Sequence, residues 1–186
     1  MLLALVPSVR AQPGPGSPLQ LTAFAGALRV GDDLALRAGA QWTGVAGARA
    51  GWRPVPGVTL AGEAWFGSLE RSSEESGERS ASGTLRGLGA FATFRPWTGR
   101  GWPADPAFDF GLESVDAGDD EDRGPAFVFG LGIERAIAGR GVIEAGARHH
   151  FLTVDEEEVD GIATGRDAEM WEIRAAASLL LGGGAR

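Results

Sequence analysis

The stretch Gly141-Val142-Ile143-Glu144-Ala145-Gly146-Ala147-Arg148-His149-His150-Phe151 decides how this chain folds. Ile143, Ala145, Ala147, His149 and Phe151 fall on one phase, and Glu144, Gly146, Arg148 and His150 on the other. A period of two belongs to a β-strand, whose successive side chains point to opposite faces.

The same rhythm recurs along the chain. Val58, Leu60, Gly62, Ala64 and Phe66 alternate with Thr59, Ala61, Glu63 and Trp65. Phe108, Phe110 and Leu112 alternate with Asp109, Gly111 and Glu113. Phe127, Phe129, Leu131 and Ile133 alternate with Val128, Gly130, Gly132 and Glu134. Trp171, Ile173, Ala175, Ala177 and Leu179 alternate with Glu172, Arg174, Ala176 and Ser178. A helix would scatter these charges around its circumference. Residues 34–53 hold one phase throughout, with Arg37, Gln41, Arg49 and Arg53 on the polar side. Read as one element, that segment gives eight strands, over 19–30, 34–53, 58–69, 83–95, 108–116, 126–135, 142–154 and 168–181. Broken near Thr43–Gly44, it would give nine.

Between these strands the connections alternate in kind. Three acidic clusters, Glu70–Glu78, Asp116–Asp122 and Asp155–Asp167, emerge on one side of the sheet. The turns Arg53–Gly57, Pro96–Ala107 and Arg135–Gly141 emerge on the other. The clusters hold 15 of the 25 acidic residues beside four arginines, so they carry −11 and the rest of the chain +3. That balance argues against a nucleic-acid partner, which needs a basic surface.

The chain has 186 residues, enough for one domain, and no cysteine, which excludes disulfides and thiolate metal sites. Lysine, asparagine and tyrosine are also missing, so tryptophan and phenylalanine must serve at any membrane interface. Residues 1–11 read as a truncated signal peptide, with Val9 and Ala11 as the small residues before a cleavage point. Residues 12–18 read as a Pro/Gly-rich lead-in, 19–181 as a β-barrel and 182–186 as a C-terminal tail.

Alternation alone does not say which face is buried, because a soluble lipocalin-like barrel shows the same period with its apolar face inward. Loop asymmetry, a Gly-rich polar face carrying both charge signs, and aromatics near the strand ends favour a barrel with its apolar face in lipid. Phe66, Phe127, Phe151 and Trp171 lie near the acidic loops; Trp52, Phe94, Trp97, Trp102 and Phe108 lie near the short turns. The chain thus resembles the small eight-stranded outer-membrane barrel proteins, the OmpA transmembrane domain and OmpX-like group, over roughly Leu19 to Leu181. The resemblance implies an eight-stranded antiparallel up-and-down transmembrane β-barrel in the bacterial outer membrane. It also implies insertion by the barrel assembly machinery, which in that group reads an aromatic residue at the end of the last strand. This chain has the alternation but ends in Gly182–Arg186 without one.

Such a lumen is expected to be filled by a charge network of Arg37, Arg49, Glu63, Glu113, Glu134, Glu144, Arg148, Glu172 and Arg174, with Asp109 on the same face. Unpaired, each would cost several kcal/mol. Asp119, Asp120, Glu121 and Asp122, with Asp155, Glu156, Glu157 and Glu158, are candidates for weak association with divalent cations. Neither run has calcium-loop spacing: the twelfth position from Asp119 is Gly130. No specific metal site and no cofactor are expected. A lipid-modifying enzyme would need a histidine, a serine and an acid within reach. His150, Ser178 and Glu172 share the lumen phase, away from the lipid-facing surface where acyl chains lie, so catalysis is not expected. The expected partners are outer-membrane lipid and lipopolysaccharide, with divalent cations as bridges, and the barrel is expected to be a monomer. A soluble periplasmic barrel binding an apolar ligand is the first alternative and a lipid-modifying barrel enzyme the second.

Overall fold

Gly57 takes a φ of +82°, which the second central residue of a type II turn requires and which glycine adopts without strain. With Pro56 before it, it folds β2 (Gln41–Val55) back onto β3 (Val58–Glu70). The computed structural model describes residues 19–31, 41–70, 82–98, 102–116, 123–137, 140–154 and 166–181. The other strands are β1 (Leu19–Val30), β4 (Ser82–Phe94), β5 (Asp105–Asp116), β6 (Arg123–Ala136), β7 (Gly141–Val154) and β8 (Arg166–Leu181). Each pairs antiparallel with its neighbours in chain order, and β8 closes on β1.

The register fixes the cross-section. Followed from Arg29 through the paired residues Trp171, His149, Phe129, Phe110, Ala92, Leu60 and Trp52, the ladder returns to β1 at Leu19, ten residues lower. Eight strands with that stagger tilt by about 40° and leave an interior that side chains can just fill. At roughly 3.3 Å per residue, tilted strands of this length rise about 30 Å, the thickness of a bilayer's hydrocarbon.

The strand bounds differ from the sequence expectation mainly at prolines. β5 includes Pro106, paired with Ile133, and β6 includes Pro125, paired with Ser114. Proline cannot donate to a ladder, so the sequence reading starts both strands after it. Near a strand end the extended backbone tolerates it. The element expected over 34–53 is a single strand beginning at Gln41; residues 34–40 lie outside the described residues, as do 1–18 and 182–186.

The apolar phase points outward. Phe110, Leu131 and Ile173 are 44%, 52% and 59% exposed, whereas Arg148 and Glu134 are 2% and 8% exposed. A barrel dissolved in water would have the reverse arrangement. Trp42, Phe66, Phe127, Phe151 and Trp171 ring the loop end of the outer face; Trp52, Phe94 and Trp102 ring the turn end. Near the turn end Trp97 stacks on Trp102 with ring centroids 5.9 Å apart.

Candidate functional site: the charged lumen

The described charged residues of the polar phase meet inside the barrel. At mid-height Arg49 and Glu63 face each other across β2 and β3, and Arg49 Nε donates to Glu63 Oε2 at 2.7 Å. Arg148 reaches across the lumen, donating to Glu63 Oε1 at 2.6 Å and to Asp109 Oδ2 at 2.7 Å. Arg174 adds contacts of 3.1 Å to Glu63 and 3.3 Å to Glu144. Asp109 also accepts from Arg49 and from the Thr93 hydroxyl. Three arginines thus converge on Glu63 and Asp109, and bonds to charged groups are about twice as strong as neutral ones. Phe91 lies under the Arg148 guanidinium at 4.4 Å and Phe24 under Arg174 at 4.7 Å, covering faces that form no hydrogen bonds. Between Asp109, Glu144, Arg148 and Arg174 there is no space for a water molecule.

Glycine makes this density possible. A Cβ on Gly111 would lie 2.3 Å from the Phe91 ring, and one on Gly87 would lie 2.1 Å from the Trp65 indole. The polar phase is glycine-rich partly because large side chains from neighbouring strands lie over those positions.

Toward the turns, Glu134 takes two arginines. Arg95 Nε donates to it at 2.6 Å and Arg53 Nη2 at 3.2 Å. Arg95 also donates to Thr59, and Arg53 to Gln20. Ser178 lies here, 2.8 Å from the Thr22 hydroxyl and 2.9 Å from Gln20 Nε2.

Toward the loops, Glu113 and Glu172 take His150 rather than an arginine. His150 Nδ1 lies 2.5 Å from Glu113 Oε1, and Nε2 lies 3.4 Å from Glu172 Oε2. The other Glu113 oxygen accepts from Trp65 Nε1 at 3.0 Å. Ser178 follows Glu172 by six residues on β8, about 20 Å along an extended strand. His150, Glu172 and Ser178 therefore do not assemble into a nucleophilic triad. His149 faces outward, stacked on Trp171 at 4.0 Å, with Nε2 3.3 Å from Glu169.

One expectation is corrected here. The lumen carries its charges only from the turns to the level of His150 among the described residues. Beyond it Leu28, Val30, Leu85, Val115, Leu152 and Met170 point inward, each no more than 1% exposed, and they belong to one apolar cluster with Val45 and Trp65. The signal is present in runs such as Ala126–Gly130, apolar on both phases, but the alternation in the rest of each strand masks it. Of the network residues named from sequence, Arg37 lies outside the described residues, as do Asp119–Asp122 and Asp155–Glu158. Arg95, Thr93, Thr59 and Gln20 were not among them; Arg95 and Gln20 continue the inward phase at strand ends. Among the described residues no group of three or more acidic or histidine side chains is arranged to hold a metal ion.

The structure of Neisserial surface protein A matches with a TM-score of 0.63 over 88% of this chain and 97% of that one, at 16% identity. A major outer membrane protein from Thermus thermophilus matches with a TM-score of 0.50 over 87% of this chain and 98% of that one, at 13% identity. The fold is that of the small outer-membrane β-barrels. No family model matches the sequence, and no curated protein matches it. The likeness of this outer-membrane-type barrel lies in strand number and closure, not in shared residues.

Proposed function

We propose that this chain is a non-enzymatic outer-membrane β-barrel with a filled lumen, acting in envelope integrity or surface interaction. The observation that carries the reading is the inversion of the barrel: large apolar side chains outside, paired charges within. An apolar belt of this extent needs a cover, and lipid provides one around the whole circumference. Aromatic side chains at both ends of the belt fit the two interfaces of a bilayer. Among the described residues the mid-height lumen is packed with paired charges, and Ser178 stands apart from His150, bonded to Thr22 and Gln20. The acidic loops would face the cell exterior, where divalent cations bridge their carboxylates to phosphates of lipopolysaccharide. The barrel assembly machinery would insert the chain as a monomer.

Fractionation combined with unboiled-gel migration tests this reading. The mature chain is expected in the outer-membrane fraction, to need detergent once extracted, and to migrate differently before and after boiling. In vesicles, brominated lipid is expected to quench Trp52 and Trp171 and spare Trp65, which lies in the lumen. A chain that stays monodisperse without detergent would overturn the reading.

A further inference from the structure

His150, with Glu113 and Glu172, stands apart from the arginine network among the described lumen residues. Each ring nitrogen faces a carboxylate on a different strand: Nδ1 faces Glu113 of β5 and Nε2 faces Glu172 of β8. Carboxylates accept hydrogen bonds and donate none, and a neutral imidazole has only one N–H. In either neutral form one ring lone pair would point at a buried anion. Glu172 Oε1 and His150 Nε2 are buried with no hydrogen bond formed, and His150 is the cation-forming side chain within ion-pair distance of Glu172 among the described residues. The charge balance agrees. At mid-height Arg49, Arg148 and Arg174 face Glu63, Asp109 and Glu144, three against three, which leaves Glu113 and Glu172 to His150.

We infer that His150 is an imidazolium that supplies the missing charge and ties β7 to its neighbour β8 and, past β6, to β5. β3 joins the lock through Trp65, which donates to Glu113 and lies edge-on to the imidazole. Arg148 on β7 and Arg174 on β8, the cations next along those strands, turn away toward Glu63 and Asp109. On the loop side of the ring, β1, β2, β4 and β6 present the uncharged Leu28, Val45, Leu85 and Ala126. The lock therefore lies between the arginine network and the apolar plug, and the ion-pair contacts of Arg148 and Arg174 go to Glu63, Asp109 and Glu144 instead. Removing its proton leaves Glu172 facing a lone pair, and the barrel loosens at that level.

The test uses the full chain folded in micelles, with nitrogen-labelled histidine and His149→Gln to assign the two rings. Both His150 ring nitrogens are expected to carry protons at neutral pH. A ring with one bare nitrogen overturns the inference. Unfolding in urea gives a second readout. His150→Gln is expected to lower the folding equilibrium constant about 100-fold, the scale of breaking a buried ion pair. Adding Glu172→Gln is expected to restore about tenfold of that, because the uncompensated anion is then gone. If the two losses simply multiply, the ring does not bridge to Glu172 and the inference fails. If His150→Gln does not fold, the spectrum of the natural chain decides.

Discussion

Arg148 shows what a single side chain does in this lumen. Its direct cross-strand neighbour is Glu172, yet its guanidinium bonds Glu63 on β3 and Asp109 on β5. In a narrow barrel a long side chain meets partners across the bore more readily than beside it. Burial sets the energetic scale, since both partners of Arg148 lose their water. Arg148→Met is expected to destabilise the barrel by about 3 kcal/mol, because it leaves part of two buried carboxylates uncompensated. Arg53, with its side chain 18% exposed at the turn end, keeps some hydration. Arg53→Met is expected to cost about 1 kcal/mol or less. Urea unfolding into lipid vesicles measures both, and equal losses would mean that depth in the lumen does not govern pairing strength. The individual charges were legible from phase; their partners were not. Arg49–Glu63 could be inferred from register, whereas Glu63–Arg174 spans 111 residues of chain and exists only once the barrel closes.

Each strand has to satisfy lipid outside and the lumen inside. On β6, Phe127, Phe129, Leu131 and Ile133 face outward while Glu134 faces inward to Arg53 and Arg95. A charge on the outer phase therefore costs according to its depth. Leu131→Arg lies mid-strand and is expected to cost about 2–4 kcal/mol, whereas Ile137→Arg, just beyond the turn end of β6, is expected to cost about 0–1 kcal/mol. Folding yield and unfolding midpoints in vesicles check the difference; equal costs would indicate that Leu131 does not face hydrocarbon. Strand existence was legible because period two persists over most of each strand. The ends were less so, because Pro106 and Pro125 look like breakers in sequence and are accommodated near strand ends in space.

As a whole, the barrel is closed twice. The arginine–carboxylate network fills the middle, and the apolar plug of Leu28, Leu85, Leu152 and Met170 closes the loop end. Rearranging the ion pairs would not open a path, since the plug residues carry no charge to move. Purified protein in liposomes is expected to give no swelling with small sugars beyond that of lipid alone. Swelling that depends on the protein would show that the plug parts. Axial layering also explains why a polar lumen was the natural reading of the sequence: the inner phase carries most of the charges, and only the alignment of strand ends gathers Leu28, Val30, Leu85, Val115, Leu152 and Met170 at one level.

Local pattern was enough to set the class of structure. Phase, loop asymmetry and strand number follow from alternation and turn chemistry, which need no knowledge of partners. How far each strand was staggered and which charge found which counter-charge were settled by closure. Only closure places residues from eight strands around one axis, so the bore chemistry, including the two carboxylates that hold His150, is a property of the cylinder and of no strand alone.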